Sequence, residues 1–236
     1  MRKVFSVLAA ALMILPATIK AQDNDNEKYV GSGNVITRDV PVKSFSQLTV
    51  GGVFNVVLSQ GSTEAVKIEA EDNLQELVEV DQSGDGLAVT MKKHKNIKTT
   101  KKMTVYITFK QLNSIDLKTV GNITTSGTLS FTDLKMNNAS VGNVELKLAA
   151  RSLDLENKSV GNLELEGKAD NAVIRNKSVG SLEAAKFVVQ TMDIDNNGVG
   201  GAEVNAEKSL KMKSSGIGRI KNRGGGTVTK LNKVVI

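Results

Sequence analysis

The chain has 236 residues, with 31 Lys and Arg against 25 Asp and Glu, one His, no Cys and no Trp. Without cysteine there is neither a disulfide nor a thiolate site. With aromatics at only 3 %, the stacking platforms on which nucleic-acid and sugar sites usually rely are scarce.

Residues 1–21 read as a secretory signal peptide. Arg2 and Lys3 precede an apolar run from Val4 to Leu15, and Ile19-Lys20-Ala21 resembles a cleavage site. The run is too short to cross a bilayer with its flanks, so no integral membrane segment is expected after its removal. The expected location is the periplasm, the outer-membrane surface or the extracellular space. Removal takes Arg2, Lys3 and Lys20 and no acid, leaving 28 basic and 25 acidic side chains, a net of +3. That charge is too mild to argue for nucleic-acid or membrane binding.

Residues 22–32 form a polar leader, acidic from Asp23 to Glu27. Residues 33–110 hold divergent strands. Val35 to Val42 comes first, then Phe45 to Val50, Gly51-Gly52, and Val53 to Leu58 in a strand, glycine, strand order. Val66 to Ala70 alternates cleanly, and Asn73 to Leu77 has room for one helical turn. Val78 to Val80, Leu87 to Met91 and Met103 to Phe109 follow, with Ser83-Gly84-Asp85-Gly86 as a hairpin turn. Between the last two strands, Lys92 to Lys102 carries Lys92, Lys93, Lys95, Lys98, Lys101, Lys102 and the single histidine, His94. It reads as a solvated loop, since no aromatic lies inside it for stacking on bases.

Residues 111–222 are regular. A hydrophobic residue followed by glycine recurs at Val120, Val141, Val160, Val179, Val199 and Ile217, with glycine spacings of 21, 19, 19, 20 and 18 residues. A period near twenty marks a solenoid. In one coil Leu153 and Leu155 alternate with Asp154 and Glu156. The turn Ser159-Val160-Gly161-Asn162 follows, alternation resumes at Leu163-Glu164-Leu165, and Gly167 ends it. Period-two alternation between turns means short strands with one buried face. A leucine-rich repeat is the rival, but Asn157 follows Leu155 by two residues rather than three, and the rest of the coil reads as a second strand rather than a helix. The fold is therefore all-β, a single-stranded parallel β-helix of about 18–21 residues per coil.

Alignment of the coils stacks Met136, Leu155, Ile174, Ile194 and Met212 in one inward column, and Val144, Leu163, Leu182, Ala202 and Ile220 in another. Asn138, Asn157, Asn176, Asn196 and Ser214 fall on the same inward side. Buried amides need partners, so these are expected to bond along the axis. Residues 223–236 are expected to cap the open end.

The stretch Val50-Gly51-Gly52-Val53-Phe54-Asn55-Val56-Val57-Leu58-Ser59-Gln60-Gly61, with Val66 to Ala70 and the later Ser-Val-Gly-Asn turns, resembles the auto-transporter adhesin, head GIN domain family. The resemblance runs from about Gly33 onward. It implies an exported, right-handed β-helix of a Bacteroidetes-like bacterium, and it brings no catalytic residues to carry over.

Sites were sought beside it. A lone His94 makes neither a metal cluster nor a triad, and Gly224-Gly225-Gly226 lacks the lysine, serine and helix of a phosphate loop. No catalytic residue, metal site or cofactor is expected. Glu145, Glu164, Glu183 and Glu203 occupy the same outward position on four consecutive coils, and Lys221 follows on the next. At about 4.8 Å per coil, each neighbouring pair repels by about 1 kcal/mol in water, less with salt. The row reads either as a solubilising stripe or as a place for a cation or cationic ligand. The expected function is non-enzymatic, adhesin-like binding of a surface or polysaccharide ligand, with self-association possible in principle. A structural or assembly part in the cell envelope is the alternative, and a polysaccharide-active enzyme the third reading.

Overall fold

The computed structural model describes residues 28–92, 96–99 and 101–231. The signal peptide, most of the acidic leader, His94 and residues 232–236 of the expected cap lie outside the described residues.

The chain starts with β1 (Lys28–Val30) and β2 (Val35–Val40), and its first coil is β3 (Gln47–Gly52) and β4 (Asn55–Gln60). β5 (Ala65–Glu71), a 3-10 helix (Asp72–Leu77) and β6 (Val78–Ser83) leave the coil path. β7 (Gly86–Met91) and β9 (Thr104–Phe109) return to it, while β8 (Asn96–Lys98) pairs in parallel with β1 in a separate two-stranded sheet. Then come β10 (Ser114–Thr119), β11 (Ile123–Ser126) and β12 (Leu129–Asn138). The long strands are β13 (Val144–Asn157), β14 (Leu163–Asn176), β15 (Leu182–Asn196) and β16 (Ala202–Ser214). β17 (Ile220–Asn222) and β18 (Thr227–Lys230) close the series.

Two parallel stacks run along the axis. One is β7, β3, β10, β12, β13 and onward to β18; the other is β9, β4, β11, β13 and onward to β17. The molecule is a parallel β-solenoid, as the period requires. Both predicted columns are in register: Leu155 faces Ile174 and Ile174 faces Ile194, while Val144 faces Leu163 and Leu163 faces Leu182. Their side chains are buried until the last coil, where Met212 and Ile220 are only partly covered. Phe109 and Phe131 stack in the same core with ring centroids 6.0 Å apart.

The alternation that stops at Gly167 in the sequence does not end the strand. β14 runs on to Asn176, with Gly167 at φ +111°. Pairing skips Arg151 and Asp170, which marks a third corner where the strand bends without breaking. A second departure concerns Ser214, which is exposed rather than inward: among the described residues β18 covers β16 only as far as Met212.

The N-terminal region stacks on the coils and also closes them. β6 pairs antiparallel with β7, and β2 and β5 continue antiparallel from β9. The 3-10 helix lies against this end, with Leu74 and Leu77 buried. Its Gln75 side-chain amide donates to the carbonyls of Ile36 (2.8 Å), Ile68 and Ala70. The hairpin at Ser83–Gly86 turns on Gly84, whose φ of +57° suits glycine.

Candidate functional site

The turns that carry the Val-Gly pairs hold the coils in register, and they do so with two sets of amides. Inside, Asn138 Nδ2 donates to Asn157 Oδ1 (2.9 Å), Asn157 to Asn176 (2.8 Å) and Asn176 to Asn196 (2.7 Å). Ser140, Ser159 and Ser178 hydroxyls each donate to the asparagine two residues before them. These asparagines are structural, being fully enclosed. The second set lies at the exposed side of the turn. The backbone N–H groups of Asn143, Asn162 and Ser181 donate to the side-chain oxygens of Asn122, Asn143 and Asn162 one coil away. Each of these donors is two residues before a glutamate of the outward row, so the ladder fixes where that row stands.

The row is as the sequence places it. Glu145 pairs in register with Glu164, Glu164 with Glu183, Glu183 with Glu203, and Glu203 with Lys221. The four carboxylates are not equivalent, however. Lys186 Nζ reaches Glu164 Oε1 at 3.2 Å, and Arg223 Nε donates to Glu203 Oε1 at 2.6 Å with Lys221 at 3.7 Å. Glu145 and Glu183 are exposed and, among the described residues, make no ion pair. A shallow cavity of about 310 Å³ holds Glu145 and Glu164 together with Thr124, Lys147, Glu166 and Lys186.

Lys147, Glu166 and Lys186 escaped the sequence reading. Lys147 and Glu166 stand two residues after Glu145 and Glu164, so strand alternation alone puts them on the same face. Lys186 is displaced by an irregularity in β15: the register slips between Glu164 and Glu166, which sets Lys186 opposite Glu166. The only sign of it in the sequence is the longer, 20-residue spacing to Gly200.

These contacts set the local electrostatics. Hydrogen bonds from Lys186 and then Lys147 hold the Glu166 carboxyl below its ordinary value of 4.5. Glu166 and then Glu164 hold the Lys186 ammonium above its ordinary 10.5. The stabilisation from Glu166 is therefore present above the ordinary carboxylate range and is lost as pH falls through its lowered value. The part from Lys186 is present below the ordinary lysine range and is lost as pH rises through its raised value. Substitution Lys186→Met should move the Glu166 titration midpoint upward, toward 4.5, in carboxyl-carbon NMR. An unmoved midpoint would show that Lys186 does not hold Glu166 in solution.

Two further surface features share the coils. Val120, Val141, Val160, Val179 and Val199 are 47–54 % exposed and bridge one another in parallel, making an uncharged ridge that ends at Ile217. At the third corner a groove of about 780 Å³ is floored by Leu148, Ala149, Ala150, Gly167 and Ala169, with Arg151 and Lys168 among its polar lining. Among the described residues, no group of three or more His, Asp or Glu side chains converges to hold a metal ion. Gly224 and Gly226 press on the Ala206 carbonyl, where a methyl would stand 2.3 and 2.7 Å from the oxygen. Close packing accounts for these two glycines.

Stacked parallel coils with rows of like side chains along each face define a parallel β-solenoid. The chain belongs to the family described as "Putative auto-transporter adhesin, head GIN domain", whose model matches residues 44–226. It is similar to a solved structure described as a "putative adhesin" from Bacteroides fragilis. The two are 30 % identical with a TM-score of 0.73, over 86 % of this chain and 99 % of that one. Two structures from Parabacteroides distasonis share the fold. One is described as a "putative lipid binding protein" (16 % identity, TM-score 0.64, 87 % and 100 % covered), the other as a "putative adhesin" (20 %, 0.55, 87 % and 100 %). No curated protein matches the chain.

Proposed function

We propose that this is an exported, non-enzymatic adhesin-like protein that binds an extended ligand, a polysaccharide or another surface polymer, along the face carrying Glu145, Glu164, Glu183 and Glu203. On this reading residues 1–21 are a signal peptide removed on export, 22–32 a leader and 33–236 the binding domain. One observation carries the proposal: the coil holds alternate carboxylates of the row, Glu145 and Glu183, free of ion pairs while their neighbours are neutralised. The free pair is two coils apart, about 9.6 Å, a distance comparable to the repeat of an extended disaccharide. Family membership and the likeness to the Bacteroides structure support the adhesin reading.

Binding of the chain to a panel of immobilised glycans is the direct test. A hit should weaken about tenfold in the Glu145→Gln/Glu183→Gln variant with thermal stability unchanged. Full retention of binding by the variant would remove the row from the site. Protease shaving of intact cells tests the location, with loss of the protein expected while periplasmic markers survive.

The valine ridge favours a second reading, assembly within the envelope, because a row of exposed apolar side chains suits burial against another protein. Sedimentation separates the two, since a strictly monomeric chain counts against assembly of its copies.

A further inference from the structure

The two ends of the solenoid differ. The first is closed by antiparallel strands and a 3-10 helix whose Gln75 amide is bonded to the Ile36 carbonyl. At the other end, among the described residues, β17 and β18 each pair only with β16, so each has an edge of backbone N–H and C=O groups with no described strand beside it. All four residues of β18 are exposed. The core column is left open here: Val228 and Leu231 are 44 and 47 % exposed, and Met212 and Ile220 are only partly buried. A hollow of about 430 Å³ lies between the two short strands. Met212, Ile220 and Leu231 line it, together with Arg219 and Lys230.

The charge at this end is one-sided. From Lys208 to Ile236 there are eight Lys and Arg and no acid. Three basic residues precede Gln22, so residues 22–207 keep 20 against all 25 acids, a net of −5. Within the described part of the basic end, Lys213, Lys221 and Arg223 are paired with Asp195 or Glu203. Lys208, Lys211, Arg219 and Lys230 are exposed and make no ion pair with any described residue.

We infer that this end is a docking site for an acidic, extended segment of another polypeptide, which adds as the next strand. Its backbone would bond to the free edge of β17 or β18, its apolar side chains would enter the hollow, and its carboxylates would meet Arg219 and Lys230. Strand addition supplies affinity through the main chain and selectivity through alternate side chains. Charge decides among the occupants. A second copy meeting end to end would bring like charges together, and the chain's own residues 232–236 add Lys233 and no acid. Nucleic acid would find no ring to stack on, since no aromatic residue follows Phe187. This site is separate from the glutamate face, so either can fail alone.

The test uses the full chain and three labelled ten-residue peptides, alternating Val with Glu, Val with Ser or Val with Lys, read by fluorescence anisotropy. The Val-Glu peptide should bind, more weakly as salt rises, and the other two should bind at least about tenfold less. Methylation of alternate backbone nitrogens in the Val-Glu peptide should abolish binding. Arg219→Glu/Lys230→Glu should lose it about tenfold or more, whereas Lys168→Glu, at the third corner, should leave it unchanged. Equal binding of the three peptides, indifference to the Arg219/Lys230 exchange, survival of binding after N-methylation, or capture of anionic vesicles with no capture of the peptide would each overturn the inference.

Discussion

Gly161→Ala is expected to destabilise the chain by about 3 kcal/mol or more. Two separate effects add. The residue sits at φ +130°, where a side chain is strained. In addition, a methyl there would stand 2.3 Å from the Gly142 carbonyl oxygen, well inside contact distance. That oxygen belongs to the backbone of the adjoining coil, so relief requires the coils to part. Parting them stretches the bonds from Gly142 N–H to the Val160 carbonyl and from Val160 N–H to the Ser140 carbonyl, both 2.9 Å. Gly127 separates the two causes. It has φ +87° but nothing within 4 Å of the added carbon, so Gly127→Ala should cost only the conformational part, about 1–2 kcal/mol. Urea unfolding of both variants measures the difference. Equal losses would mean that the close approach of the glycine column carries no energy.

Asn157→Leu should cost about 3–4 kcal/mol. Asn157 Oδ1 accepts from Asn138 Nδ2 and from the Ser159 hydroxyl, and its Nδ2 donates to Asn176. An apolar replacement leaves Asn138 Nδ2 and the Ser159 hydroxyl without their acceptor in a site closed to water. Asn196 supplies the comparison. It receives the last bond of the ladder at its Oδ1, and its own Nδ2 is unpartnered. Asn196→Leu therefore breaks fewer bonds and should cost about half as much. The reason lies one coil on, where Ser214 stands in place of a fifth asparagine. A mid-ladder variant no worse than the terminal one would show that the amides act singly rather than as a chain.

The regular coils were legible because their period repeats: one alignment of Val-Gly turns brings Leu155 over Ile174 and Asn157 over Asn176, and every inner contact follows. The outward glutamates were legible for the same reason. Their partners were not, since Lys186 reaches Glu166 through a register slip that periodicity averages away. The turn valines mark the period, but their half-exposed state is not written in it. Val66 to Ala70 shows the limit from another side. Its alternation gives a strand, but the pairing of β5 with β2 and β9 is antiparallel, and strand direction is written in the connections rather than in any side-chain pattern. The bend at Arg151 and Asp170 carries no Gly or Pro of its own, and Gly167, three residues before Asp170, reads in the sequence as the end of a strand rather than as a bend within one.

The closed first end gives the molecule a direction in time as well as in space. Synthesis delivers the N-terminal end first. Once residues up to about Phe109 have joined β3, β4, β7 and β9 with their antiparallel covers, a finished template stands ready. Each later coil then needs only some twenty new residues to reach its partner, a short loop whose closure entropy is small. Because each coil contacts only its neighbours, that template lets growth extend rung by rung toward the C-terminal end, each completed rung serving as the edge for the next.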